Sequence, residues 1–189
     1  MKIIESSDIL IRHNLDTNHQ LADLYRLLNE KFNCTYLTYM REDLKRNNKV
    51  YFSSNPNWQD LLIGQSLINI CPIYSIAFDA LNNTNIRFYP IVWNNVSHNK
   101  KQDHKDLKDL RDSHDIAHGL GFAIQPQPGI RESIVFAGSV KDVAFHLKLS
   151  NKAFVTTCVE LFRYIIFNGD PENSKELTTS ALKEQLLLT

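Results

Sequence analysis

The chain has 189 residues, which suffices for one domain with a core of its own and leaves no room for a second of ordinary size. Its 21 basic and 21 acidic residues cancel and 43% of it is hydrophobic, so it lacks the basic excess that marks a general nucleic-acid binder. Cys34, Cys71 and Cys158 are odd in number, far apart and free of CxxC spacing, and no signal-peptide pattern opens the sequence, so a reduced, cytoplasmic protein is expected.

Along residues 7–32 the apolar positions Ile9, Leu10, Leu21, Leu24, Tyr25, Leu27 and Leu28 follow helical spacing, with Asp16 and Thr17 as a cap between two helical pieces. The stretches CTYLTYM (residues 34–40) and KVYFS (residues 49–53) are rich in β-branched and aromatic side chains. They read as neighbouring antiparallel strands across a polar segment containing Asn47 and Asn48. Asn55, Pro56 and Asn57 break the second strand and cap a short helix from Trp58; Pro72 opens another toward Leu81, ended by the polar residues 82–85. Residues 87–93 are read as a short extended piece, 94–103 as a polar loop, and 105–118 as a helix with Leu107, Leu110 and Ile116 facing inward. Two further strands, residues 121–124 and 133–137, are joined by the turn-forming QPQPG. A long amphipathic helix over residues 143–167 follows, stopped by NGDP at residues 168–171.

No apolar run approaches the length of a membrane helix, and no internal repeat is present. The element order implies an α/β (α+β) fold, an α-β-α sandwich around a central antiparallel sheet. Residues 1–170 form the domain in this reading, and residues 171–189 a C-terminal tail of helical pattern.

The stretch RDSHDIAHGLGFAI (residues 111–124) sets His114 and His118 four residues apart. On a helix that spacing puts both imidazoles on one face, half of a divalent-metal site. Zinc hydrolases built on H-E-x-x-H need glutamate in the second place, where this chain has Asp115, and His98, Asp103 and His104 lie upstream in a polar stretch. A solvated helix end followed by a glycine stop at Gly119 and Gly121 accounts for the pattern, with His118 near the negative end of the helix dipole. No nucleophile elbow, phosphate loop or dinucleotide fingerprint is found, so no enzyme chemistry and no cofactor is expected.

The aromatics carry more information. Tyr36, Tyr39, Tyr51, Phe52, Trp58, Tyr74, Phe78, Phe88, Tyr89 and Trp93 crowd one segment. Such a cluster builds a core, or it walls an apolar cavity in which indole N–H groups supply fixed polar contacts. The segment YFSSNPNW (residues 51–58), followed by ICPI (residues 70–73) and YPIVW (residues 89–93), resembles the N-terminal ligand-binding domain of LuxR-type quorum-sensing regulators, whose SNYPxxW, DPV and PxxW steps come in this order. AHGLGFAIQP (residues 117–126) is similar to the family's later turn and strand.

The resemblance implies the same α-β-α sandwich, of a PAS/GAF-like kind, with an acyl-homoserine lactone between the sheet and one helical layer. Trp58 takes the place of the tryptophan whose indole donates to the lactone carbonyl, Trp93 that of the second pocket tryptophan, and Pro72 that of the proline in the DP step. Cys71 stands where the family has the aspartate that accepts the ligand amide, and a thiol is a poor acceptor. Ser54 and Leu62 stand where it has pocket tyrosines, and Tyr51 lies beside them.

Losing those acceptors and donors, each about 1–3 kcal/mol when a buried partner is left unpaired, predicts a ligand other than the usual lactones, or none. The family's DNA-binding half has no counterpart here beyond a faint likeness in ELTTSALKEQL from Glu176. The expectation is therefore a sensory, small-molecule-binding module that accepts an apolar or amphipathic molecule and does not itself read DNA or enter a membrane. A second reading is an interaction module that forms a homodimer or titrates a full-length regulator, through the stripe Val155, Val159, Phe162 and Ile166 or the tail. A third is a metal-dependent hydrolase using His114 and His118.

Overall fold

The computed structural model describes residues 9–14, 19–82, 86–97, 101–149 and 151–167. The elements run β1 (Ile9–Asn14), α1 (His19–Phe32), β2 (Cys34–Asp43), β3 (Asn48–Ser53), α2 (Pro56–Gly64), a 3-10 turn (Leu67–Ile70), α3 (Pro72–Asn82) and β4 (Phe88–Val92). A second 3-10 turn (Trp93–Asn95), α4 (Gln102–Ser113), β5 (Ala117–Gln127), β6 (Ile130–Gly138), α5 (Phe145–Lys148) and α6 (Lys152–Phe167) complete them.

The strands form one six-stranded sheet in the order β1-β3-β2-β6-β5-β4. All neighbours are antiparallel except β1, which runs parallel to β3. Because side chains alternate across a strand, each of β2, β5 and β6 feeds two cores. Leu37, Tyr39, Leu120, Ile134 and Phe136 join Leu21, Leu24 and Leu28 of α1 and Phe154, Val155, Cys158, Val159 and Phe162 of α6 on one face. Tyr36, Ala123 and Ala137 join Trp58 of α2, Ile73, Ala77, Phe78 and Leu81 of α3 and Leu107 of α4 on the other. The sheet thus lies between two helical layers, the α-β-α arrangement expected from element order.

Four local expectations are corrected. Ile9–Asn14 is a strand, not the first of two helical pieces, pairing from Ile9 opposite Asn48 to Asn14 opposite Ser53. Two adjacent apolar residues do not set a helical period, and a strand here covers the otherwise open edge of β3.

The helix read over residues 105–118 starts earlier and ends at Ser113. Asp115, not Gly119, takes the left-handed conformation beyond the helix end, at φ 56. Its carboxylate oxygen accepts from Ser139 Oγ at 2.7 Å and from the Val140 amide at 3.0 Å, which fixes the reversal.

His118 consequently lies on β5 at φ 49, within a register shift of the β5–β6 ladder, and not on a helix near its dipole end. Gly119 and Gly121 are interior residues of β5.

The long helix over residues 143–167 is two helices. Asn151 Oδ1 accepts from the Ala153 amide at 2.9 Å and the Phe154 amide at 3.4 Å, starting α6 afresh. Apolar spacing continues through the break, which is why the sequence pattern did not reveal it. The NGDP stop and the tail lie outside the described residues.

Across the α6 side of the sheet, Glu132 of β6 is fully buried. It accepts from Tyr39 Oη and Arg41 Nη1, each at 3.0 Å, and from Arg163 Nε at 3.0 and 3.1 Å, with Arg163 Nη2 closing a two-pronged ion pair. A carboxylate is kept charged in a core only by such partners, and these tie α6 to the sheet centre.

Candidate ligand cavity

Asn55 caps α2 by accepting the Trp58 amide at 3.0 Å, and Pro56 opens the helix where its missing N–H costs nothing. This places Trp58 in the first turn, its side chain buried against the sheet. The indole also meets the His114 ring at the end of α4, centroids 5.2 Å apart.

β4 is an edge strand and tolerates Pro90. It ends in the 3-10 turn that sets the Trp93 indole over β5. There a Cβ on Gly119 would stand 2.5 Å from Trp93 Cδ2 and 2.7 Å from its Cε2 and Cε3, so glycine alone admits the ring so close to the strand. The Arg111 guanidinium packs on the ring at 4.5 Å from its centroid.

Between these elements is a cavity of about 110 Å³. Its floor is β2, β6 and β5 (Tyr36, Thr38, Met40, Ser133, Val135, Gly121), and its roof is formed by Trp58, Gln59 and Leu62 of α2, Ile73, Tyr74, Ala77 and Phe78 of α3, and Leu107 and Arg111 of α4. Ile68, Cys71, Ile91, Trp93 and Phe122 complete the wall. At roughly 10–15 Å³ for each water-sized group, the space takes about seven to eleven such groups, a small molecule.

The polar fittings of this wall are few. Tyr36 Oη donates to Gln59 Oε1 at 2.7 Å, and burial raises the tyrosine pKa, so the phenol stays a neutral donor. Burial likewise raises the Cys71 thiol, against the lowering effect of the Tyr74 and Ile73 amides and of Arg111. Cys71 is thus a neutral thiol in the place where the resemblance puts a carboxylate.

Arg111 is only 5% exposed. Burial pulls its guanidinium below the ordinary value, while Cys71, Asp112 and Tyr36 act in the opposite direction. Arg111 Nε and Trp93 Nε1 are buried and meet no acceptor among the described residues.

Of the residues expected at the site, Trp58, Leu62, Cys71 and Trp93 come together on the cavity wall. Tyr51, Ser54 and Pro72 do not line it. Tyr51 pairs with Met40 and so shares its face of the sheet, but sits one strand further out. Ser54 instead closes the end of the β2–β3 pair, its Oγ accepting the Leu37 amide at 2.9 Å and its own amide bonding to Leu37 O at 2.9 Å. Pro72 is buried at the start of α3.

Gln59, Thr38, Ser133 and Arg111 were not among the expected site residues. For Arg111 a signal existed, since it lies four residues after Leu107 and therefore on the inner face of α4.

The two histidines do not share a face. His114 packs on Trp58, while His118 Nδ1 lies 3.0 Å from Asn94 Oδ1 and its Nε2 3.2 Å from Val140 O. Among the described residues no three His, Cys, Asp or Glu side chains are grouped to hold a metal ion; His98 lies outside them. The stripe Val155, Val159 and Phe162 is buried in the core. The side chain of Ile166 lies outside the described residues.

No protein-family model matches the chain, and no curated protein matches it. Among solved structures, it is similar to a crystal structure of Escherichia coli SdiA, with TM-score 0.49 and 8% identity over 80% of this chain and 63% of that one. It is also similar to SdiA in complex with octanoyl-rac-glycerol, with TM-score 0.44 and 12% identity over 62% of this chain and 47% of that one. The chain thus spans less than two thirds of the length of either.

Proposed function

We propose that this chain is a small-molecule-binding regulatory module of LuxR-like type, which takes an amphipathic ligand between the sheet and α2, α3 and α4. The observation that carries the reading is the cavity itself: about 110 Å³, walled mostly by apolar side chains, with the two indoles and a few buried polar groups converging on it. Three sequence steps that resemble the family's, at Trp58, Cys71 and Trp93, contribute to this one wall.

The neutral Cys71 thiol offers an incoming amide no charged acceptor, so the usual acyl-homoserine lactones are poor candidates. Binding acts through folding linkage. A molecule held by the native cavity alone stabilises the fold by an amount that rises with the logarithm of its concentration relative to Kd.

The test is a saturable change in the fluorescence of 2-naphthol, a dye small enough for the space, on adding the chain, together with thermal stabilisation by small amphipaths. Both should be lost in Ser133→Trp, which projects a ring from the sheet into the cavity. A dye signal that is non-saturable and unchanged in that variant, with no amphipath shifting the melting temperature, would overturn the proposal.

A further inference from the structure

Arg111 is the only charged residue among the twenty that line the cavity. A buried guanidinium is costly unless an anion and hydrogen-bond acceptors meet it. The nearest acidic neighbour in sequence, Asp112, pairs with Lys108, and none of the wall residues is acidic. Stacking on Trp93 supplies attraction to the π face, but it leaves the in-plane N–H groups to find acceptors elsewhere. Trp93 Nε1 is a second buried donor on the same wall in the same condition. It lies 3.7 Å from where a Cβ on Gly121 would stand, so the N–H edge borders a stretch of strand with no side chain to fill it.

From these groups we infer that the cavity selects amphipathic monocarboxylates, the carboxylate seated on Arg111 with the Trp93 indole N–H as a second donor. The apolar chain then lies against Ile68, Ile73, Ala77, Leu107 and Val135. The inference rests on the proposed role of the cavity as a ligand site and goes on to name what that site takes.

The planar fork of arginine matches a carboxylate two-pronged. A neutral carbonyl would satisfy one N–H but leave the buried charge with only Asp112, which already pairs with Lys108, as an opposite charge beside it. A phosphate dianion calls for a second cation, and the wall has none. The space of about 110 Å³ suits a chain of six to eight carbons at roughly 10–15 Å³ per group.

The experiment is displacement of 2-naphthol, a fluorescent probe small enough for the space, from the 189-residue chain at neutral pH by hexanoate and octanoate, each compared with its methyl ester and its alcohol. The expected result is displacement by the carboxylates at concentrations at least about tenfold below those of the neutral analogues. Arg111→Met should reduce the preference for carboxylate over the matching alcohol by about ten- to a hundredfold, and Trp93→Phe should reduce it by less. If Arg111→Met fails to fold, Arg111→Lys, which keeps the charge and loses the fork, carries the same comparison.

Neutral analogues that compete as well as the carboxylates, or carboxylate affinity equal in wild type, Arg111→Lys and Trp93→Phe, would overturn the inference and leave the cavity as a ligand site. Absence of saturable dye binding would instead remove the reading on which it rests.

Discussion

A single methyl group tests the geometry that shapes the cavity. In Gly119→Ala the new Cβ stands 2.5 Å from Trp93 Cδ2. Carbon atoms settle at about 3.5–4.0 Å, so the indole must withdraw by about 1 Å or the strand must move. Withdrawal is restricted, because the ring is buried and the buried Arg111 guanidinium packs on it at 4.5 Å from its centroid. Overpacking of this kind costs about 1–3 kcal/mol.

Gly121→Ala is the matched control. It is two residues along the same strand, and its Cβ would meet Val135 Cγ2 at 3.4 Å and Trp93 Nε1 at 3.7 Å, close to ordinary contact. Both substitutions remove the same backbone freedom from the unfolded chain, about 0.4–1 kcal/mol in favour of folding, and neither glycine has positive φ. The difference between them isolates the clash. Urea unfolding should place Gly119→Ala about 1–3 kcal/mol below Gly121→Ala, with a shifted tryptophan emission in the native state. Equal stabilities and unchanged emission would refute the claim that this glycine exists to admit the indole.

Glu132→Gln removes the counter-charge of Arg41 and Arg163, and because those side chains are 29% and 33% exposed and can turn to solvent, the loss should be about 3 kcal/mol, the low end for a broken buried pair, read by urea unfolding. Asn55→Ala should cost about 1 kcal/mol through the lost Trp58 amide bond, and it should broaden tryptophan emission more than its stability cost alone explains. Iodoacetamide should label native protein slowly and Cys71 first, since Cys34 and Cys158 are fully buried and Cys71 alone borders the cavity, a ranking that mass spectrometry of the digests checks. Burial raises the Cys34 thiol from 9.0 to about 12, so it stabilises the fold fully below pH 9.0 and its contribution is lost as pH rises toward about 12. Cys71, Cys158, Tyr36, Tyr39 and Tyr74 shift in the same direction. The urea midpoint should therefore fall through this alkaline range, and a flat profile would contradict the burial assigned to these groups.

Local chemistry made much of the fold readable. Strands β2 and β3, the Asn55 cap, Pro72 at the start of α3 and the turn between β5 and β6 each follow from residues whose backbone preferences act over a few positions. What was not readable depends on partners distant in sequence. Ile9–Asn14 is extended because β3 needs a neighbour. Gly119 looks like a helix stop until Trp93, far earlier in the chain, is seen to need the space above it. Asp115 performs the reversal through Ser139 and Val140, which no local window contains.

The aromatic segment signalled a cavity, but residue type alone could not say which rings face it. Strand alternation and register decide that: Tyr36 faces the cavity while Tyr39 stacks on Phe162 of α6, ring planes 7° apart. The same limit explains why attention fell on His114 and His118 and passed over Arg111 in the same stretch. Histidines at helical spacing suggest chemistry because such pairs bind metals, whereas an arginine in a helix suggests solvent. Leu107 and Arg111 share a face of α4, and only the packing of that face against Trp93 turns a surface cation into a buried one. A cation suits the last turn of α4 but is disfavoured by burial, so its presence on an otherwise uncharged wall is in keeping with the proposed ligand that brings an opposite charge with it.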